Sequence, residues 1–455
     1  MIGDLKPYAD YRDSGLPWLG QVPAHWNVRR IKTVLREVDR RSTAGQEPLL
    51  SLRMQAGLVD HHVSGGRPIP PSALVGYKRV LPDEIVMNRM RASFGLFAAS
   101  TSDGLVSPDY AIFRPVDQID VGYAVQLFRT PAMAAVFRIE STGLGTGESG
   151  FLRLYSDQFG RLAIPIPPAT EQAAIVRFLD WANGRLDRAI RAKRKVIALL
   201  TEQKQAIIKR AVTQGLDTEA TLKPTDIPWL GEIPRHWEVS RIKTEFRCLN
   251  TKRVPLNSVE RGRMTSRAYD YYGASGVIDK VDNFLFDDEL LLIAEDGANL
   301  VLRNLPLAIV ATGKFWVNNH AHILKPRRGS LRYLAYLLET MNYRPWITGA
   351  AQPKLTQDRL LAISIAVPPL KEQLEIVSAA DLSCQPLNDT ISRVAREMEL
   401  LREYRTRLVA DVVTGKLDVR DAAARLSEDV APCLDADVAV AIDDPELIDE
   451  EATEA

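Results

Sequence analysis

Two long stretches of the chain repeat hydrophobic residues in alternating steps of three and four, the pattern of one helix packing against another. Each stretch follows a Pro-Pro pair and ends near a glycine, Gly215 or Gly415. At about 1.5 Å per residue, forty such residues make a helix of roughly 60 Å. We expect Pro386 to split the second helix near its start, because proline removes an amide donor. The predicted seam residues are Ile175, Leu179, Leu186, Val196 and Leu200 in the first helix, and Leu387, Ile391, Val394, Met398 and Leu401 in the second.

Between these helices, short apolar runs typical of buried strands alternate with shorter helical segments. The runs at 83–88 and 110–114 predict strands in the first half, and those at 288–294 and 321–325 predict strands in the second. Residues 332–340 predict a helix, with a weaker counterpart at 121–130. The pattern therefore predicts an α+β fold with two α/β globules linked by two long helices.

The same motifs occur twice along the chain, in the same order. Residues 17–36 read PWLGQVPAHWNVRRIKTVLR and residues 228–247 read PWLGEIPRHWEVSRIKTEFR, an offset of 211 positions. Residues 164–176 (IPIPPATEQAAIV) match residues 365–377 (IAVPPLKEQLEIV) at an offset of 201, and the helix ends VTQGLD and VTGKLD keep that offset. The chain is therefore a tandem duplication with pseudo-two-fold organisation.

The repeats divide the chain into five predicted segments. Residues 1–168 form the first globule, 169–217 the first helix, 218–369 the second globule and 370–420 the second helix. Residues 421–455 form an acidic tail that we predict to be disordered, because eleven acidic residues and no basic ones follow Ser427.

Composition adds a charge asymmetry and narrows the class of protein. The whole chain has 58 basic and 58 acidic residues, so residues 1–427 carry 58 basic against 47 acidic ones, a surplus that suits a polyanionic partner. Many proteins that bind no nucleic acid carry a similar surplus. We expect neither a signal peptide nor a membrane span. The three scattered cysteines suit a reducing cytoplasm without disulfides or a zinc site.

No catalytic motif emerges from the sequence. The chain lacks the GxxxxGK[ST] nucleotide site and the Asn/Asp-Pro-Pro-Tyr/Phe tetrapeptide of amino-methyltransferases. The glycine cluster at 143–150 does not open a helix after a strand, so we interpret it as a loop and not a cofactor cradle. The histidines lack further ligands at metal spacing, and His25 and His236 are interpreted as structural. We therefore expect no cofactor, no metal and no catalytic residue in this chain.

Loops rich in cationic, amide, hydroxyl and tyrosine side chains suit phosphate and base contacts. A solvated surface is the competing interpretation for every one of them. Several lie at matching places in the two halves; Arg153, for example, takes the place of Lys354 at the 201 offset. The candidates are Asn88, Arg89, Arg91, Ser93 and Arg153 in the first half, and Arg267, Tyr269, Tyr271, Tyr272, Lys314, Asn318, Asn319, Gln352 and Lys354 in the second.

These motifs resemble the specificity subunits of Type I restriction–modification enzymes over nearly the whole chain. The resemblance is carried by PWLG(Q/E)(V/I)P…HW, by the PP…EQ boundary and by the VTQGLD and VTGKLD helix ends. In the first half, MRASFG at 90–95 with GLVSPDY at 104–110 is similar to a recurring recognition-domain type. GAAQPKL at 349–355 resembles a common loop before the last strand of such domains.

The resemblance implies that each globule is a target-recognition domain for one half of a bipartite, asymmetric site in double-stranded DNA. The helices would pack as an antiparallel coiled coil that sets the distance between the half-sites. Two modification subunits would dock on the helices and methylate adenine, and a motor–nuclease subunit would complete the restriction form. Two alternatives remain at this point: a self-contained DNA-modifying enzyme with unfamiliar motifs, and a scaffold whose globules bind only proteins.

Overall fold

The computed structural model describes residues 5–54, 56–63, 65–66, 68–144, 151–303, 305–349 and 353–426. The chain divides into two compact units: unit 1 is Met1–Ala192 with Glu397–Ala455, and unit 2 is Lys193–Arg396. Each unit thus contains one predicted globule together with part of each long helix. The predicted boundaries at 168/169, 217/218 and 369/370 differ from this division because they separate the helices from the globules.

The strands are short, and most belong to antiparallel pairs. In unit 1 they are β1 (Tyr11–Asp13), β2 (Gln21–Pro23), β3 (Asn27–Arg30), β4 (Leu35–Val38), β5 (Leu50–Arg53), β6 (Gly57–Asp60), β7 (Lys78–Val80), β8 (Ile85–Asn88), β9 (Phe97–Ala99), β10 (Gly104–Val106), β11 (Tyr110–Pro115), β12 (Thr142–Leu144), β13 (Phe151–Arg153) and β14 (Ala163–Ile166). In unit 2 they are β15 (Leu222–Pro224), β16 (Glu232–Pro234), β17 (Glu238–Arg241), β18 (Phe246–Cys248), β19 (Tyr269–Gly273), β20 (Gly276–Val281), β21 (Phe286–Ala294), β22 (Ala308–Val317), β23 (Ala321–Pro326) and β24 (Ser364–Val367).

Two of the helices are far longer than the rest. In chain order the helices are α1 (Pro71–Leu74), α2 (Val121–Phe128), α3 (Pro131–Glu140), α4 (Ser156–Arg161), α5 (Ala169–Gln214), α6 (Ile242–Glu245), α7 (Ser258–Gly262), α8 (Asn299–Leu302), α9 (Leu331–Thr340), α10 (Gln357–Ala362), α11 (Leu370–Val413) and α12 (Arg420–Ala424). The predicted strands and shorter helices are all present, displaced at most by a few residues at their ends. The chain is therefore an α+β protein, as the hydrophobic pattern predicted.

The long helices α5 and α11 pack antiparallel as a coiled coil. In unit 1 the beginning of α5 and the end of α11 share a core, and Arg405 Nη1 donates to Asp187 Oδ1 at 2.6 Å. In unit 2 the end of α5 packs with the beginning of α11, where Cys384 joins Ile208 and Val212 in the core.

The seam of α11 passes through the predicted residues, whereas that of α5 departs from the prediction at one point. Leu387, Ile391, Val394 and Leu401 are half-buried and Met398 is buried; Ile175, Leu179 and Leu186 of α5 are buried and Leu200 is half-buried. Val196 is exposed instead, because the seam continues through Ile190 and Ile197. The spacing was ambiguous there, since Val196 and Ile197 are adjacent and equally apolar.

Pro386 does not split the second helix, which is a correction to the sequence-based prediction. Helix α11 runs without interruption from Leu370 to Val413 with the proline inside it. Only the amide hydrogen bond to the carbonyl four residues earlier is lost. Because Pro386 is exposed and Leu382 is strongly exposed, water can reach this turn. The packed seam on the other face keeps the helix continuous.

Both units are built on the same four-stranded antiparallel sheet. Its strand order is β4-β11-β8-β9 in unit 1 and β18-β23-β21-β22 in unit 2. Unit 2 extends the sheet with β19 and β20, of which β19 runs parallel to β22. The registers correspond, because Tyr110 pairs with Asn88 where Ala321 pairs with Ala294. The duplication is therefore visible in the strands as well as in the sequence anchors.

Successive side chains of a strand point to opposite faces of the sheet, so the two faces of each sheet pack in different hydrophobic clusters. In unit 1, Ile85 and Met87 pack in the main core with the long helices, while Val86 packs in a second cluster with Leu50 and Leu52. In unit 2, the same alternation sends Leu291 towards the helix core and Leu292 into the second cluster. The helix-facing side is common to both units, and the other side is covered by segments that differ between them.

The repeated HW and EQ motifs meet to fix each globule to the start of its helix. In unit 1, Glu171 accepts from His25 Nε2 at 2.8 Å and Trp26 Nε1 at 3.0 Å, and from the Tyr8 hydroxyl. Glu171 is almost completely buried. This carboxylate knot gives His25 a structural partner, in line with the sequence interpretation.

Unit 2 contains the same carboxylate knot. Glu372 accepts from His236 Nε2 at 2.7 Å and from Trp237 Nε1 at 2.9 Å. The side chain of Glu372 is 24% exposed, against 4% for Glu171. The repeated motifs are thus explained by one local structure formed twice.

A buried tyrosine in each globule binds the end of the opposite helix. The Tyr123 hydroxyl lies 3.0 Å from both Pro165 O and Val413 O at the end of α11. The Tyr333 hydroxyl lies 3.1 Å from Val212 O near the end of α5 and 3.2 Å from Ala366 O. Each globule thus holds the beginning of one long helix and the end of the other.

Some sequence predictions concern residues outside the described ranges. These are Gln352, the glycine-rich loop at 145–150 and the tail from residue 427 onward. Residues 421–426 were assigned to the tail, but they continue the core of unit 1. Helix α12 lies there, and Ala422, Ala423 and Leu426 are buried. The predicted boundary at residue 421 is therefore too early. The acidic run on which that prediction rests starts only at Glu428.

Candidate DNA interface

In unit 1, four candidate residues lie at the end of the central strand β8 and on the loop that joins it to β9. Asn88 is buried, and its Oδ1 accepts from the amides of Met90 (3.0 Å) and Arg91 (3.2 Å). Arg89 Nη2 donates to Glu37 Oε1 at 2.7 Å, and Ser93 is half-buried. The structure thus uses Asn88 to shape the loop and leaves Arg91 and Ser93 partly accessible.

Arg153 lies next to this loop. The amide of Leu154 donates to Arg89 O at 2.9 Å, which joins the end of β13 to the start of the loop. Arg153 itself forms an ion pair with Asp109 at 3.2 Å and stacks over the Tyr155 ring. The five unit 1 candidates therefore gather at one end of the sheet.

The tyrosines of unit 2 lie on β19 in the extension of the sheet. Tyr271 is buried, and Arg261 lies over its ring. Tyr269 and Tyr272 are half-buried, against Phe284 and Phe315 respectively. Burial raises the pKa of Tyr272, and the nearby Asp270 adds to this effect. Tyr271 is thus part of the packing, whereas Tyr269 and Tyr272 keep accessible edges.

Three further candidates differ in what their side chains can reach. Arg267 is exposed, with a backbone φ of 44°, and lies 3.7 Å from Asp279. Lys314 is exposed, with its ammonium over the Phe284 ring. Asn318 is buried, and its Oδ1 accepts from the His320 amide at 2.8 Å. Arg267 and Lys314 can therefore reach a ligand, while Asn318 shapes its own turn.

Lys354 and Asn319 converge on a polar cluster at the end of β21. Lys354 Nζ lies 3.3 Å from Glu295 Oε1, and Arg253 Nη1 donates to Glu295 and to Asn319 O. His322 lies in the same cluster, fully buried. Sequence reasoning missed Arg253, because it lies outside every repeated motif and only the folded chain brings it to Glu295.

The clusters of the two units occupy equivalent positions. Leu355 N donates to Glu295 O at 2.8 Å, as Leu154 N donates to Arg89 O in unit 1. The basic residue before each leucine, Arg153 or Lys354, therefore lies at the same place in both folds. Each unit presents a basic side chain beside the loop that follows its central strand. This arrangement can bind a polyanion such as a nucleic-acid backbone together with adjacent polar groups.

In the part of the chain that the structure describes, no helix is both long enough and apolar enough to cross a membrane. Among the same residues, no group of three or more histidine, cysteine or acidic side chains is placed to hold a metal ion.

Comparisons with known proteins find similarity to one kind of protein. Residues 234–381 match the family model of the Type I restriction modification DNA specificity domain. The chain is 22% identical over 428 residues to a Methanocaldococcus jannaschii protein named as the MjaX type I restriction enzyme specificity subunit, covering 88% of this chain and 96% of that protein. Residues 234–381 are thus assigned to the Type I specificity domain, and the chain as a whole is similar to Type I restriction enzyme specificity subunits.

Two further comparisons agree with this assignment. A Haemophilus influenzae protein named as a type I restriction enzyme specificity subunit is 38% identical over 134 residues, which cover 29% of this chain and about a third (34%) of that protein. A chain from a solved type I R-M system, reported for its complex assembly and conformational transition, has a TM-score of 0.59 at 14% identity, covering 87% of this chain and 99% of that chain. At this identity, the structural match shows the shared fold.

Proposed function

We propose that this chain is a specificity subunit of a Type I restriction–modification enzyme. It would read a bipartite, asymmetric site in double-stranded DNA, with one half-site read by each unit. The observation that carries the proposal is that one scaffold occurs twice with different loops at equivalent positions. Identical readers would suit a repeated half-site, whereas different readers suit two unrelated half-sites. The basic side chains beside those loops supply attraction to phosphates that is independent of sequence.

The coiled coil would act as the spacer between the two readers. Because B-DNA is helical, a fixed separation of the readers also fixes which face of the duplex each one meets. The repeated carboxylate knots support this role, since they attach each globule to a long helix through buried hydrogen bonds. We propose that two methyltransferase subunits and the restriction motor–nuclease subunits assemble on this chain in the cytoplasm, and that the chemistry resides in those subunits.

A test of the proposal is to express the chain with a Type I methyltransferase subunit from the same organism and to map methylated adenines across the host genome. We expect one bipartite, asymmetric motif that requires this chain. The matched control is the same methyltransferase subunit expressed without the chain. A stable complex that binds DNA but methylates no defined motif would contradict the proposal and favour a purely structural scaffold.

A further inference from the structure

Each unit exposes an apolar side chain on the loop after its central strand. In unit 1 the loop runs from residue 89 to 96, and Phe94 is 68% exposed. In unit 2 the loop runs from 295 to 307, and Leu302 is 62% exposed. We call Phe94 and Leu302 the tip residues. Their two loops begin at equivalent points, as the hydrogen bonds of Leu154 and Leu355 establish.

The tip residues share a local geometry although the loop sequences are unrelated. Each is the last residue of a single helical turn, Ala92–Phe94 in unit 1 and α8 in unit 2. The residue two positions earlier, Ala92 or Leu300, is buried. The residue directly after each tip residue, Gly95 or Arg303, has a left-handed backbone conformation. The same turn therefore presents an apolar side chain outward in both copies.

The loop of unit 1 holds its tip residue in place. Asn88 Oδ1 accepts two loop amides, and Leu96 N donates to Arg91 O at 3.3 Å. Gly95 adopts a φ of 78°, and a Cβ at that position would lie 3.3 Å from the Arg129 Cα. The close approach anchors the turn against the end of α2. These contacts hold the backbone of the turn, on which Phe94 is exposed.

The loop of unit 2 reaches the same result with different residues. Asn299 brackets the loop, since its Oδ1 accepts from Leu305 N at 2.9 Å and its Nδ2 donates to Leu305 O at 3.0 Å. Arg303 has a φ of 54°, and its guanidinium donates to the carbonyls of Met341 and Glu339. A non-glycine residue in this conformation is strained, so the surrounding contacts hold it there.

We propose that Phe94 and Leu302 are specificity-determining residues, each making apolar contact with the bases of the half-site that its own unit reads. This inference rests on the proposed function. Phosphate contacts cannot discriminate between sequences, whereas an apolar side chain can contact a thymine methyl group or wedge against a base step. Arg153 and Lys354, next to the two loops, would bring the backbone of DNA to this place.

The difference between the tip residues favours DNA over a protein partner. A subunit that bound both copies would meet the same residues twice, as the repeated HW and EQ motifs provide. Phe94 and Leu302 instead differ in shape and lie on loops of different length. Two different DNA sequences would require such a difference.

The test replaces each tip residue by alanine in the full chain, co-expressed with its methyltransferase subunits. We expect Phe94→Ala to lower affinity for the cognate duplex about tenfold and to relax the first half-site only, because one base-pair contact is worth roughly 1–3 kcal/mol. Leu302→Ala is expected to affect only the second half-site. Matched controls are Val116→Ala and Val239→Ala, which are also exposed apolar residues (42% and 46%) but lie away from the loops.

The readouts are methylation mapping, binding to duplexes with one altered half-site, and the thermal midpoint of each variant. Unchanged discrimination in both variants, with a wild-type complex that recognises a bipartite motif, would overturn this inference and leave the proposed function intact. Loss of copurifying methyltransferase subunits would also overturn it, because the tip residues would then contact protein. A wild-type complex without any sequence preference would instead refute the proposed function.

Discussion

Units 1 and 2 are most alike where they hold the long helices. They are least alike on the side of each sheet that faces away from those helices. The carboxylate knots around Glu171 and Glu372 match almost atom for atom. On the other face, unit 1 has separate two-stranded pairs such as β5–β6, whereas unit 2 widens its sheet with β19 and β20. The comparison separates a constant scaffold from two individual reading surfaces.

The scaffold is not perfectly symmetric, and its differences are as informative as its repeats. Glu171 receives a third hydrogen bond, from Tyr8, and is more deeply buried than Glu372. The middle of α11 contains Pro386, where α5 has Arg185 at the 201 offset. The core strand of unit 2 contains His322 opposite Ile293, where unit 1 has Ala111 opposite Met87. Each difference supports a measurable contrast between the units.

The largest contrast is expected from removing the central carboxylates. Glu171→Ala should lower the free energy of unfolding by about 4 kcal/mol, because it leaves buried donors without an acceptor. Glu372→Ala should cost about 2 kcal/mol, since fewer donors are affected and water reaches the site. Urea denaturation of the full chain measures both values.

Glu171→Gln and Glu372→Gln are the matched controls, because glutamine keeps one acceptor oxygen and should give intermediate losses. Amide hydrogen exchange should place the first effect at residues 21–30 and the second at residues 232–241. Equal losses in the two units would show that the extra donor and the deeper burial of Glu171 contribute nothing.

A smaller effect of opposite sign is expected in α11. Pro386→Ala should raise the free energy of unfolding by about 2–3 kcal/mol, because alanine restores an amide donor within a continuous helix. Arg185→Pro is the reciprocal change in α5 and should cost at least as much, since it also removes the guanidinium that lies 5.2 Å from the Trp181 ring. A neutral Pro386→Ala would mean that the helix already satisfies the free carbonyl by another route.

The sequence predicted the scaffold well because repeated sequence motifs indicate a repeated structure. The repeated motifs contain the tryptophans, histidines and glutamates of the knots, although only the structure shows that they meet. Alternating apolar residues located the central strands. The seam failed only at Val196, where two adjacent apolar residues made the periodicity ambiguous. The prediction for Pro386 is wrong because the tendency of proline to end a helix is a local property. Tertiary packing along α11 outweighs it.

The candidate interface was predicted less completely, for a physical reason. Asn88 and Asn318 have side chains suited to base contacts, but amide oxygens serve equally well to accept amides of their own loops, and the structure uses them so. Tyr271 is buried by neighbours that are distant in sequence. The tip residues lie on single helical turns, which are too short to produce a periodic pattern. Whether the remaining candidates contact DNA stays a prediction.

The smallest expected contrast is a loss of stability at acidic pH, and it should be confined to unit 2. Burial lowers the pKa of His322. The geometry requires a neutral ring, since Nδ1 accepts from Asn250 Nδ2 at 2.8 Å while Nε2 donates to Leu355 O at 2.7 Å. The unfolded chain therefore binds a proton more readily than the folded one. Stability from this site is present above the unfolded pKa of about 6.5 and is lost as pH falls through the lower folded value.

We expect the free energy of unfolding, measured by urea denaturation, to fall by roughly 1 kcal/mol as the pH is lowered from about 7 to about 5. Over the same range, amide exchange should become faster in β23 of unit 2 than in β11 of unit 1. Glu295 should not contribute in this window. Burial raises its pKa, but the hydrogen bond and charge of Arg253, together with His322 and Lys354, outweigh burial and lower the pKa overall. His322→Asn should abolish the acid effect, while His62→Asn, at an exposed position, should preserve it. If His322→Asn retained the full acid dependence, or if β11 and β23 responded alike, the acid sensitivity would have to arise from groups common to both units and not from this histidine.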